Sequence, residues 1–225
     1  MKPSRAAMIA FKRRLLSWYR KQARDLPWRR TRDPYRILVS EFMLQQTQVS
    51  RVQEYYGKFL ARYPTLRALS RARPSAVREM WEGLGYYRRA ENLHRLAQTV
   101  MDRHAGVVPS DPGVLVTLPG VGKYTAGAVA TFAYERRAAA VDTNVARVVS
   151  RVFGMGKREE GRGKSTAVVK QIWTLTTQLL PKEGRTVWEF NQALMDLGAT
   201  VCVARSPKCE ICPVRVGCRG RRSPR

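Results

Sequence analysis

Acidic residues are scarce in this 225-residue chain: 17 Asp and Glu stand against 42 Lys and Arg, a formal net charge of +25. Such a chain would repel itself unless a polyanion screened it, so nucleic acid is the leading partner class. A basic surface without a specific partner, or attraction to an anionic membrane, are the other readings of the charge. Long hydrophobic runs are also missing. The hydrophobic fraction is 44%, normal for a globular protein, yet no apolar stretch approaches membrane-spanning length. The basic N-terminus carries Met8, Phe11, Leu15, Trp18 and Tyr19 at helical spacing but lacks the uninterrupted apolar core of a signal peptide. It reads as a docked helix, with a transit peptide as the other option. Cysteine is absent before position 202; all four fall between 202 and 218. None is left elsewhere for disulfides, which points to a reduced, cytoplasmic setting, nucleoid-associated if the source is bacterial. Strand-type alternation is rare, and no repeat or low-complexity tract is visible.

What is there is helical periodicity. Helices are expected at about 34–47, 50–62, 75–84, 87–104, 124–134, 143–153, 164–180 and 186–199. Breakers separate them: Tyr63-Pro64, Pro109 to Gly113, Pro119-Gly120, Gly154 to Gly163 and Pro181 to Gly184. Residues 156–163 read as an exposed loop, and the basic tail after Cys218 as disordered. The fold class is all-α.

Leu118-Pro119-Gly120-Val121-Gly122-Lys123 joins two of these stretches through a Gly-x-Gly turn. Two glycines allow a tight connection whose backbone N–H groups point outward at the next helix's N-terminus. An anion is stabilised there by those donors and by the helix dipole. Gly120, Val121 and Gly122, with the charge of Lys123 beside them, suit a DNA phosphate bound without regard to sequence. An ordinary helix–turn–helix corner is the bland reading. Near the C-terminus, Cys202-x6-Cys209-x2-Cys212-x5-Cys218 places four thiolates close enough to close around one metal centre. Iron–sulfur and a four-cysteine zinc knuckle compete for this spacing. The neighbouring Arg205, Lys208, Arg215 and Arg219 could reach phosphate.

Two acids stand in contrasting contexts. Glu41 interrupts Arg36-Ile37-Leu38-Val39-Ser40-Glu41-Phe42-Met43-Leu44, a strongly apolar helix, where desolvation disfavours its charged form and suits it to donate a proton. Asp142 lies between Arg137-Ala138-Ala139-Ala140-Val141 and a helix beginning near Asn144, where the dipole and backbone donors favour the anion. A helix-edge acid and an ordinary N-cap are their structural readings. As a pair they match the cleavage of an N-glycosidic bond, which wants one acid for the leaving base and one carboxylate for the oxocarbenium-like sugar.

With these motifs assembled, the chain resembles the MutY-type adenine DNA glycosylases of the endonuclease III, or helix-hairpin-helix, superfamily. The residues that carry the likeness are Leu26-Pro27-Trp28-Arg29, Ser40-Glu41-x-Met43-Leu44-Gln45-Gln46-Thr47-Gln48-Val49 and Trp81-x-Gly83-Leu84-Gly85-Tyr86-Tyr87, joined by the hairpin, Val141-Asp142-x-Asn144-Val145 and the cysteine loop. The likeness spans about residues 8–219. It implies two helical lobes with the active site in the cleft between them: a six-helix barrel with the helix-hairpin-helix over 24–135, and an iron–sulfur lobe from 1–23 and 136–225. It implies a [4Fe–4S] cluster on Cys202, Cys209, Cys212 and Cys218, and a monomeric enzyme acting on double-stranded DNA that carries a mispaired or damaged base.

By the same resemblance Glu41 protonates adenine at N7, Asp142 stabilises or transiently captures the sugar cation, and Tyr124 and Asn144 position it. Trp28 and Arg29 line the base pocket, and Gln45 lies at the DNA. Gln46, Leu84 and Tyr86 enter the duplex and fill the space left by flipping. Bifunctional lyases of the superfamily carry a lysine where this chain has Tyr124, so hydrolysis without efficient strand cleavage is expected. Two departures stand out. The chain stops at Arg225, without the C-terminal domain that recognises 8-oxoguanine in these enzymes, and Asp142-Thr143-Asn144 replaces the usual Asp-Gly-Asn. Compact thymine and uracil glycosylases acting opposite guanine are therefore the second enzyme reading. A catalytically silent damage-binding protein is the reading outside the enzyme class.

Overall fold

Polar caps and prolines, more than propensity, decide where the helices begin. The computed structural model describes residues 3–155 and 165–220, so the loop expected over 156–163 and the end of the tail lie outside the described residues. Ser4 caps α1 (Arg5–Gln22), Asp33 with Pro34 starts α2 (Pro34–Leu44), and Asp142 and Ser165 cap α9 (Thr143–Phe153) and α10 (Thr166–Leu179). Each cap accepts a bond from a first-turn N–H that has no partner inside its helix. Between them run α3 (Val49–Arg62), α4 (Leu66–Ser70), α5 (Pro74–Glu79), α6 (Arg88–Arg103), α7 (Pro112–Leu115) and α8 (Lys123–Tyr134), and α11 (Gly184–Asp196) follows α10. Among the described residues there is no strand, and no helix is long and apolar enough to cross a membrane.

The helices sort into two units, Asp25–Arg136 and Met1–Arg24 with Arg137–Arg225. In the first, α2 is buried on nearly every side and packs on α3, α6 and α8. Phe59 and Trp81, both fully buried, meet edge-to-face at 5.7 Å in the core of this unit. In the second, α1 packs on α11 and α9 packs on α10 and α11, with the Phe11 ring edge-on to Phe153 and Phe190.

The second unit also holds a buried ion pair. Arg24 Nε donates to Asp196 Oδ1 at 2.7 Å and the Arg24 backbone N–H to Oδ2 at 3.1 Å, while the Asp196 side chain is 1% exposed and that of Arg24 29%. Removing one partner of a fully buried pair costs about 3–5 kcal/mol. Arg24 can turn partly to water, so Asp196→Ala should cost about 2 kcal/mol, the range of charge-assisted bonds. The midpoint of urea unfolding measures this, and an unchanged midpoint would remove the pair from the account.

Element ends differ from periodicity where the backbone turns left-handed. The helix expected over 34–47 stops at Leu44, because Gln46 takes φ 57°. The one expected over 75–84 stops at Glu79 and passes into a turn ending at Gly83, φ 87°. The last helix gives way after Asp196 to a π-helical turn, Leu197–Val201, a form frequent at functional sites. α4 and α7 were not expected; five and four residues are too few to show a period.

Candidate active site

Glu41 sits midway along α2 among Leu38, Val39, Phe42 and Met43, all buried, and is itself 5% exposed with Oε2 shielded from solvent. Sealing a carboxyl in such surroundings works against folding, which makes Glu41 a candidate for chemistry.

The hairpin follows in the same unit. α7 ends at Leu115, the chain turns through Leu118–Gly122, and α8 starts at Lys123 with no side-chain cap. Gly120 has φ 74°, and a Cβ there would meet Asn92 Cβ at 2.7 Å and Phe42 Cε1 at 2.9 Å. Glycine is thus required both by the backbone angle and by the closeness of α6 and α2, which pins the hairpin to the helix carrying Glu41. Val121 is buried as the anchor, Gly122 and Lys123 are exposed, and Tyr124 is half-buried in the first turn of α8.

In the other unit Asp142 is the N-cap of α9. Oδ1 accepts from Val145 N–H at 2.7 Å and Oδ2 from Asn144 Nδ2 at 2.9 Å. The approach to it is fixed by Asn191, fully buried, which accepts from Ala140 N–H at 3.0 Å and donates to Ala138 O at 3.0 Å. Asn144 is held in turn by Arg147, whose Nη2 donates to Asn144 Oδ1 and Gly198 O, both at 2.7 Å, and whose Nε donates to Cys202 O at 2.9 Å. A continuous run of bonds therefore joins the Asp142 carboxylate to the backbone of the first cysteine. Burial lowers the Arg147 pKa, with Cys202 and Asp142 pulling it back up. Gly198 lets the π-turn approach so closely: a Cβ would lie 2.7 Å from Asn144 Cβ.

Cys202, Cys209, Cys212 and Cys218 are all half-buried and line one cavity with Leu197, Val201 and Val214. The four thiols stand around this one shared space. Burial pushes the Cys212 thiol up to about 11 and also raises Cys218. Such thiols become thiolates only beside a strong positive charge, which a metal centre supplies. Arg151 closes the rim, its Nη1 3.5 Å from Cys202 Sγ and 2.7 Å from Val203 O. The residues fit an iron–sulfur group. Arg205, Lys208, Arg215 and Arg219 are exposed around it.

The remaining sequence candidates lie in the unit of Glu41. Trp28 is buried in a 3-10 turn, Pro27–Arg29, edge-on to Tyr56 at 5.6 Å, and Arg29 is half-buried. Gln45 is half-buried and Gln46 exposed; Leu84 is buried at 6%, while Tyr86 is 62% exposed. Sequence reading missed Arg89, Arg147, Arg151 and Asn191. The signal for Arg89 is a charge on the apolar stripe of α6, in line with Leu93, Leu96 and Val100. For α9 it is a second, polar stripe of Asn144, Arg147 and Arg151 beside the valines.

Comparison with known proteins adds three findings. Residues 39–174 match the model described as HhH-GPD superfamily base excision DNA repair protein, and residues 202–218 match the iron–sulfur binding domain of endonuclease III. The chain is 48% identical over 201 residues to the adenine DNA glycosylase of Mycolicibacterium smegmatis, covering 89% of this chain and 66% of that one. It is 44% identical over 225 residues to the human adenine DNA glycosylase, covering 96% of this chain and 40% of the relative. The chain thus spans less than two thirds of these relatives' own length. Among solved structures, a thermostable thymine-DNA glycosylase superposes with a TM-score of 0.86 at 36% identity over 96% of both chains. An endonuclease III–DNA complex superposes with a TM-score of 0.79 at 24% identity over 97% of both, a likeness of fold.

Proposed function

The chain belongs to the HhH-GPD superfamily of base excision DNA repair proteins, and on that premise we propose that it is a DNA N-glycosylase excising adenine mispaired with guanine or 8-oxoguanine. The observation that carries this reading is Glu41, a carboxyl 5% exposed within an apolar helix, in a chain 48% identical over 201 residues to an adenine DNA glycosylase. The unit Asp25–Arg136 supplies the barrel and hairpin, and the other unit the cluster lobe.

In this reading the uncapped start of α8 and Lys123 hold a phosphate of the duplex. The mispaired adenine leaves the stack, and Gln46 and Tyr86 fill the gap, offsetting an unstacking cost of a few kcal/mol. Glu41 delivers its proton to N7 as the N-glycosidic bond breaks and the bonding electrons pass to the base. Asp142, oriented by Asn144, faces the cationic sugar until water adds to the sugar carbon and gives up a proton. Trp28 and Arg29 border the base. Tyr124 offers no amine for a Schiff base, so strand breaks should need added alkali. When bound on Cys202, Cys209, Cys212 and Cys218, a [4Fe–4S] group supplies a rigid closure of that loop and no step of the excision. The enzyme works as a monomer in a reducing compartment that holds DNA.

A second reading, thymine or uracil removal opposite guanine, is favoured by the thymine-DNA glycosylase structure, which matches over 96% of both chains. An excision panel of adenine, thymine and uracil opposite guanine and 8-oxoguanine separates the two. Binding should also fall steeply with salt, because the net charge of +25 implies counterion release from DNA, with a slope of roughly −0.9 per phosphate contact. Lys123→Ala should make that slope shallower by about one contact. A slope that does not change with Lys123→Ala would take the hairpin lysine off the phosphate.

A further inference from the structure

We propose that Arg89 is a positioning residue that locks Gln46 and Tyr86 into one rigid DNA-reading unit; the inference rests on the functional reading above. Arg89, on α6, is 6% exposed, and burial lowers its pKa. A guanidinium is rarely sealed in this way unless most of its donors are used; here both Nη groups are bonded, and Nε alone is buried without a partner. Nη1 donates to Met43 O at 2.7 Å, to Phe42 O at 3.1 Å and to Gln45 O. Nη2 donates to Gly85 O at 2.9 Å, Leu84 O at 3.0 Å and Thr47 Oγ1 at 3.0 Å. One planar fork thus ties the end of α2 to the turn that follows α5.

The choice of acceptors is what points to function. Gln45 and Gly85 each immediately precede a non-glycine residue in the left-handed region, Gln46 at φ 57° and Tyr86 at φ 49°. Such angles are disfavoured for side-chain-bearing residues and persist where surrounding bonds over-determine them. By fixing both preceding carbonyls, Arg89 sets the direction in which the chain leaves toward each residue. The two residues so held are exposed, Tyr86 at 62%, and the guanidinium carbon lies 5.5 Å from the Tyr86 ring centre. Thr47 Oγ1, bonded by Arg89, also reaches Leu84 O at 3.5 Å, a second tie between the same two segments. A lysine in this place has one ammonium with three donors instead of two spaced nitrogens, and cannot reproduce the whole set of bonds to the two segments.

The test compares Arg89→Lys with wild type on two substrates: adenine mispaired within a duplex, and the same adenine in an unpaired bulge, where no wedge is needed to extrude it. Arg89→Lys should lower single-turnover excision from the duplex by about 10²-fold, the scale of a small misplacement, and leave the bulge rate near wild type. Adding Tyr86→Ala should cost little more, since the wedge is already unlocked. Equal losses on both substrates, or additive losses in the double variant, would overturn the proposal. Should wild type excise no base at all, the functional reading fails, and hydrogen exchange still decides this one. Exchange rising in Arg89→Lys at 44–47 and 83–87 together, and not across the rest of the unit, supports the lock; unchanged or general exchange refutes it.

Discussion

Glu41→Gln is expected to abolish excision while leaving DNA binding intact. Glutamine has nearly the shape of glutamic acid, so the packing of Leu38, Val39, Phe42 and Met43 around this position is kept. What is lost is the transferable proton. A positioned acid contributes about 10²–10⁴-fold to such a step, and adenine is a poor leaving group until N7 is protonated, so the upper end of that range is expected. The check is a single-turnover excision rate beside a binding isotherm for the same duplex. A rate within an order of magnitude of wild type would mean the proton comes from elsewhere. Loss of binding as well would mean that Glu41 is needed for the shape of α2 rather than for chemistry.

Asp142→Asn should lower the rate by about 10²–10³-fold, the usual worth of one well-placed electrostatic stabiliser, with little change in stability. Asparagine is as good an N-cap as aspartate, so the bond now accepted from Val145 N–H at 2.7 Å can survive. The other oxygen is different: it accepts from Asn144 Nδ2 at 2.9 Å, and an amide there sets donor against donor. On the proposed reading, the anion meant for the sugar cation is lost and the orientation of the side chain is disturbed together. Asp142→Ala makes a useful contrast, since it also forfeits the cap and should cost about 1 kcal/mol of stability. If Asp142→Asn keeps its thermal midpoint and its rate, Asp142 is a cap and nothing more.

These expectations show which parts of the molecule are readable from residue order. The cap Asp142 announces its helix because a short oxygen-bearing side chain before an apolar period suits an N-cap. The cysteine loop is readable because its chemistry is local, all four thiols lying within 202–218. Glu41 is readable as an exception to an apolar run. By contrast, Arg89, Arg147 and Asn191 do their work through acceptors distant in the chain: Arg89 through carbonyls of 42–45, Arg147 through Cys202, Asn191 through Ala138 and Ala140. Periodicity marks such residues as polar on a helix but carries no sign of what lies opposite. The left-handed turns at Gln46 and Tyr86 were hidden for a related reason: neither residue type favours that backbone, and tertiary bonds hold them there. Leu84 shows the converse, a residue two positions before the exposed Tyr86 yet buried at 6%.

The most direct test of the account is which base leaves. Purified protein is incubated under single-turnover conditions with duplexes carrying adenine, thymine or uracil opposite guanine, and adenine opposite 8-oxoguanine or thymine, followed by alkali to reveal abasic sites. The account predicts alkali-dependent cleavage at adenine opposite both guanine and 8-oxoguanine, with A·T pairs left whole. Release of thymine or uracil opposite guanine, with adenine untouched in every duplex, would contradict it.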